Sequence, residues 1–131
     1  MKNWFTLPAI ALLFACSSNV EKENEQLFDQ VMEIHDSIMP EMGAIRTTRK
    51  GIVDMMTAET DSLKLQALSL VSEELDQAHK GMMVWMRQFE PDYEGTPEEK
   101  NAYLKKEKEK MVEVKDKMVV SLKKGKELLG Q

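Results

Sequence analysis

Apolar residues recur at steps of three and four along almost the whole of this chain, and only one stretch interrupts them with strong turn chemistry. Phe28, Val31, Ile38, Met42, Ile45, Ile52 and Met56 mark one face of a first segment from Val20 to about Thr57, with His35 in the gap between Val31 and Ile38. Leu65, Leu68, Leu75, His79, Met82, Met86 and Phe89 mark a second segment, and Tyr103, Leu104, Met111, Val114, Met118, Leu122 and Leu129 a third. A period near 3.6 collects each set on one side of a helix. Six Gly and four Pro in 131 residues leave too little turn material for a many-stranded sheet. The fold these spacings predict is all-α: an up-down-up three-helix bundle forming one small domain.

The breaks in the pattern set the boundaries. Pro40 removes a backbone donor and crowds the carbonyl of Asp36, so the first helix is expected to kink near Met39-Pro40, with Gly43 and Gly51 softening it further. Thr60 and Asp61 offer N-cap oxygens to the second helix, which stops before Pro91. Pro91-Asp92-Tyr93-Glu94-Gly95 is the one strong loop signal after Cys16. Thr96-Pro97-Glu98-Glu99 then supplies an N-cap, a proline at N1 and a glutamate at N3, the parts of a capping box. Gly125 and Gly130 are expected to fray the end of the third helix.

Ahead of the periodic region, Met1-Lys2-Asn3 is a short positive start, and Trp4 to Ala15 is an apolar run. That run falls within the ~7–15 residues of a signal-peptide core and is too short to span a bilayer. It ends Leu13-Phe14-Ala15-Cys16-Ser17-Ser18, which resembles a bacterial lipobox, with Phe14 where a small residue is commoner. The resemblance implies cleavage before Cys16, diacylglycerol on its sulfur and an acyl chain on the new amine. A lone Cys makes no internal disulfide and no Cys-rich zinc site, and Cys16 precedes the amphipathic pattern. Two or three acyl chains hold a protein at a membrane without a transmembrane helix. The expected organisation is therefore a signal peptide over 1–15, a lipidated tether over 16–21 and a helical bundle domain over 22–131, located in the bacterial cell envelope. In lipoproteins of this kind, Ser17 and Ser18 with no Asp beside the Cys point to the outer membrane.

A formal charge of −5 argues against a nucleic-acid partner. The charge is also divided. Cys16 to Glu99 holds 7 basic and 18 acidic residues, whereas Lys100 to Gln131 holds 10 basic and 5 acidic, so the third helix complements the first two. Glu107 with Lys110 and Glu113 with Lys117 have the spacing of solvated intrahelical pairs, each worth about 0.2–0.5 kcal/mol.

Methionine is the compositional outlier, with 11 residues, and both histidines open the same pattern. His35, Met39 and Met42 repeat as His79, Met83 and Met86, at offsets that share a helix face. With the first turn near Glu59, His35 comes level with Met83 and His79 with Met39. Both histidines and Met32, Met39, Met82, Met83 and Met86 then fall in one layer toward the tethered end, with Trp85 beside them and turned outward. Thioether and imidazole suit Cu(I). Carboxylates at Asp36 and Asp76 would orient the imidazoles from behind. Haem fits less well, since there is no attachment motif and three helices make a thin wall for a porphyrin. The same residues also read as adaptable core or as a partner-binding face. A third reading is a buried polar layer that fixes helix register, with imidazoles able to sense acid.

No nucleophile-histidine motif, glycine-rich phosphate loop, HExxH or CxxC occurs, so an enzyme is not expected. The strings VMEIHDSIMPEMGAI and AHKGMMVWMRQFE, after a short lipobox signal, resemble a group of small Bacteroidota lipoproteins of uncharacterised function, some labelled viral A-type inclusion repeat proteins. The resemblance draws attention to the His/Met segments and implies no activity. The expected function is a non-enzymatic, lipid-anchored envelope module that binds an envelope protein or serves structure and takes no cofactor. The alternative is an envelope Cu(I)-binding, metal-buffering protein.

Overall fold

The computed structural model describes residues 14–131, with side chains from residue 19. The expected signal peptide lies outside the described residues up to residue 13. All regular structure among the described residues is helical: α1 (Phe14–Ile38), α2 (Glu41–Ala58), α3 (Ser62–Gln88) and α4 (Pro97–Leu128). The stretch 16–21, expected as a tether, carries helical backbone as part of α1.

α1 and α2 are one bent rod. The Met39 N–H still donates to the His35 carbonyl at 2.9 Å, and the Met42 N–H reaches the Met39 carbonyl at 3.2 Å. The ladder is interrupted at Pro40, which has no N–H to donate, and tightens to an i,i+3 bond at Met42. The core confirms the continuity. Val31, Ile38, Ile45 and Ile52 are buried at seven-residue intervals, and the interval passes through Pro40 without a change of phase. Leu68, Leu75 and Met82 make the matching series on α3, and Leu104, Met111 and Met118 on α4. A buried residue every seven positions is the seam of a coiled-coil-like bundle, tighter than the three-and-four steps alone imply.

Cross-helix hydrogen bonds fix the directions. Asn24 donates to the Pro97 carbonyl at 2.8 Å and accepts from Asn101 at 3.0 Å. Lys108 reaches Gln30 at 2.7 Å and Lys115 reaches Ser37 at 3.3 Å, so α4 runs parallel to α1. α3 runs the other way, with Lys124 on Glu74 at 2.8 Å near one end and the Glu90 N–H on Tyr103 Oη at 2.7 Å near the other. Several of these contacts join a basic α4 to acidic partners, as with Lys105 and Glu23 at 2.9 Å.

The helix ends follow local chemistry. Glu59 Oε1 accepts from the Thr60 and Asp61 N–H groups at 2.9 and 2.8 Å. These bonds, Asp61 first, hold its carboxyl below the usual range. Asp61 rather than Thr60 caps α3, accepting from Leu63 and Lys64. The capping box at Thr96 and Glu99 is complete.

Two expectations are corrected here. Gly125 does not fray α4; it is buried, and a Cβ there would lie 2.5 Å from Thr48 Cγ2 and 3.1 Å from Leu75 Cδ1. It occupies the next heptad position after Met118, against Thr48 and Ile52 of α2. Glu107 pairs with Lys110 at 2.6 Å as expected, but its side chain is buried rather than solvated, so the lysine stem and ammonium cover a carboxylate inside the packing.

Candidate functional site

The structure divides the His/Met segments between an aromatic face, where side chains of α1 and α3 touch, and a groove between α2 and α3. His35 lies on α1 with its ring 5.6 Å from that of Trp85. Its Nδ1 is 2.8 Å from Asp36 Oδ1, so the neutral ring donates from Nδ1 and leaves Nε2 as the free acceptor.

Trp85 is turned inward, not outward. It is 5% exposed and belongs to the core, because seven-residue spacing from Ala78 carries it along the side of α3 that packs on the other helices. Its indole N–H is buried and meets no acceptor among the described residues. Such a group costs about 1–3 kcal/mol. The ring continues a stack: Trp85 on Phe89 at 4.7 Å, Phe89 on Phe28 at 6.1 Å and on Tyr103 at 6.2 Å, and Tyr103 on Tyr93 at 4.4 Å. Burial raises the Tyr103 hydroxyl above the ordinary tyrosine range. Sequence reasoning placed Phe28, Phe89 and Tyr103 in the core one by one but missed the stack they form. The i,i+4 step from Trp85 to Phe89 was its legible part.

Met82 is fully buried, and Met39, Met42 and Met86 pack half-buried against the same core. Met83 lies at the surface, 36% exposed. His79 is on another side of α3. It lines an open groove with Gly43, Ile45 and Arg46 of α2, about one turn beyond the Met39 level anticipated. Asp76 in that groove does not serve the imidazole. Lys80 holds it at 2.6 Å and Arg49 at 3.5 Å, and the Lys80 hydrogen bond, followed by the Arg49 charge, lowers its carboxyl below the usual range. A cation beside His79 would have Arg46 and Arg49 as neighbours. Among the described residues, no three His, Cys, Asp or Glu side chains gather as a metal site. Cys16 lies in the first turn of α1.

Beside the aromatic stack is an open hollow of about 520 Å³, floored by Phe28, Pro91 and Pro97 and rimmed by Glu21, Glu25 and Lys100. No helix of the described residues is long and apolar enough to cross a membrane. No protein-family model, curated protein or solved structure matches the chain.

Proposed function

We propose that this chain is a non-enzymatic, lipid-anchored module of the bacterial cell envelope that binds a partner or serves structure through the aromatic, His/Met end of its bundle. The observation that carries the reading is the string Leu13-Phe14-Ala15-Cys16, which ends a short apolar run at the chain's only Cys. The amphipathic pattern begins within a few residues of it, so the lipid would hold the domain close to the membrane. Ser17 and Ser18 favour the outer membrane. The half-buried Met86 and the hollow beside Phe28 supply adaptable apolar contact area near the anchored end. The test is incorporation of a labelled fatty acid in bacterial cells. The wild-type chain should carry label and fractionate with membranes, while Cys16→Ser should lose both. Label retained by Cys16→Ser would refute the anchor.

A second reading, Cu(I) binding, rests on His35. Its Nδ1 is held by a carboxylate and its Nε2 is free, and Met39, Met42 and Met86 pack on the neighbouring core. In this reading His79, Met82 and Met83 contribute less than the repeated motif implies. Anaerobic Cu(I) titration of the purified protein against a competing chelator decides it. Tight stoichiometric binding lost in His35→Ala supports copper, and binding unchanged in His35→Ala with His79→Ala overturns it.

A further inference from the structure

α3 carries a second seven-residue series on the side turned away from the core. Leu63, Leu70 and Val84 are 76%, 58% and 40% exposed, and Gln77 completes the spacing between Leu70 and Val84. The buried series on this helix is Leu68, Leu75 and Met82, so α3 has one seam filled by its own chain and another left exposed among the described residues. Exposed aliphatics in heptad register are the signature of a helix face that pairs with another helix.

The charges beside this seam identify the partner and its direction. Glu73 and Lys80 are both exposed and lie on the same edge of the seam, four and three residues either side of Gln77. In a parallel pair of α3 helices, Glu73 would face Glu73 and Lys80 would face Lys80. In an antiparallel pair centred on Gln77, Leu70 of one copy faces Val84 of the other, and Glu73 comes within one residue of level with Lys80 at two symmetry-equivalent places, where it would share the ammonium with Asp76 of the lysine's own chain. The seam is self-complementary in this one arrangement, as a two-fold interface requires. Gln77 donates to Glu73 at 3.1 Å and keeps its amide oxygen and a second N–H for the matching amide at the axis.

We propose that this face is a homodimer interface in which α3 packs antiparallel against α3 of a second copy about Gln77. Exposed ion pairs add little affinity and instead set orientation. Two matched aliphatic side chains per copy, Leu70 and Val84, with Leu63 opposite residue 91 beyond the end of α3, fall short of the ~1,200 Å² at the low end of a standard stable interface, so the pairing is reversible and depends on concentration. The two α1 ends lie at opposite ends of such a dimer. If both chains are tethered at Cys16 as proposed above, the pair rests along the membrane rather than standing from it.

The test is oxidative cross-linking of the full chain, read on a non-reducing gel. With Cys16→Ser in every variant, Gln77→Cys should give a disulfide dimer that Cys16→Ser alone does not give. Leu70→Cys alone should give none, but mixed with Val84→Cys it should cross-link. Adding Glu73→Lys or Lys80→Glu to Gln77→Cys should abolish the dimer band, and adding both should restore it. A dimer with Leu70→Cys alone makes the pairing parallel and overturns the proposal. So does the absence of a Gln77→Cys dimer, charge reversals without effect, or Gln77→Cys cross-linked only to a different protein. The result does not depend on whether Cys16 is acylated.

Discussion

Gly125→Ala should destabilise the protein, although it places a better helix former inside a helix. Alanine in a helix interior gains about 1 kcal/mol over glycine. Here, however, the new methyl would sit 2.5 Å from Thr48 Cγ2, 3.1 Å from Leu75 Cδ1 and 3.4 Å from Ile52 Cδ1. Leu75 and Ile52 present rotatable tips that can yield, whereas Thr48 is β-branched, buried and stiff about χ1 in α2. Forcing a methyl into such packing costs about 1–3 kcal/mol. The net loss is about 1 kcal/mol, which for a chain of this size lowers Tm by about 4 °C. Thr48→Ala removes the obstructing methyl, so in that background Gly125→Ala should be neutral or stabilising, a favourable coupling of about 1–2 kcal/mol in a double-mutant cycle. Gly43→Ala, with nothing within 4 Å of its Cβ position, serves as the control and should stabilise by about 0.5–1 kcal/mol. Urea unfolding followed by circular dichroism measures all four variants. If Gly125→Ala stabilised as much as Gly43→Ala, α2 and α4 would not approach as closely as described.

Other expectations are direct. Thr96→Ala opens the capping box and should cost about 1 kcal/mol in the same unfolding assay. Asp76, Glu23 and Glu113 have carboxyls lowered chiefly by lysine hydrogen bonds. Their stabilisation is present above the unfolded-state values near 4 and is lost as pH falls through the lower folded-state values. The urea midpoint of wild type should therefore drop from pH 5 toward pH 2 more than that of Asp76→Asn, and parallel curves would count against the Lys80 contact. Protein cleaved before Cys16 keeps Trp85 as its only tryptophan. Its emission should be that of an apolar site and shift to the red on unfolding, whereas native emission already at the solvent-exposed position would contradict the inward indole.

The helices and most of their ends were legible because local chemistry sets them: the capping box at Thr96, the missing donor at Pro40 and the cap at Asp61 each act within a turn. The basic third helix was legible because charge sums survive errors of register. What the spacing did not reveal came from close approach between helices. Gly125 looks like a helix breaker until Thr48 is brought against it, and Glu107 looks solvated until α4 packs the face carrying Leu104 and Met111 against the other helices. Trp85 likewise looks free to turn outward until Phe89 and His35 bracket its ring. The repeated His/Met motif suggested two equivalent halves. The bend at Pro40 and the fit of α2 on α3 place His35 on an aromatic face and His79 in a groove beside arginines, so sequence symmetry did not become spatial symmetry.

The anchor is tested most directly by the intact mass of the chain purified from the membrane fraction of a bacterium that expresses it. The expected species is a polypeptide beginning at Cys16 with the added mass of a diacylglycerol on sulfur and an N-linked acyl chain, from which mild alkali removes only the two ester-linked acyl chains and leaves the glyceryl thioether and the amide-linked chain. A chain beginning at any other residue, or one carrying an unmodified Cys16 thiol, would contradict it.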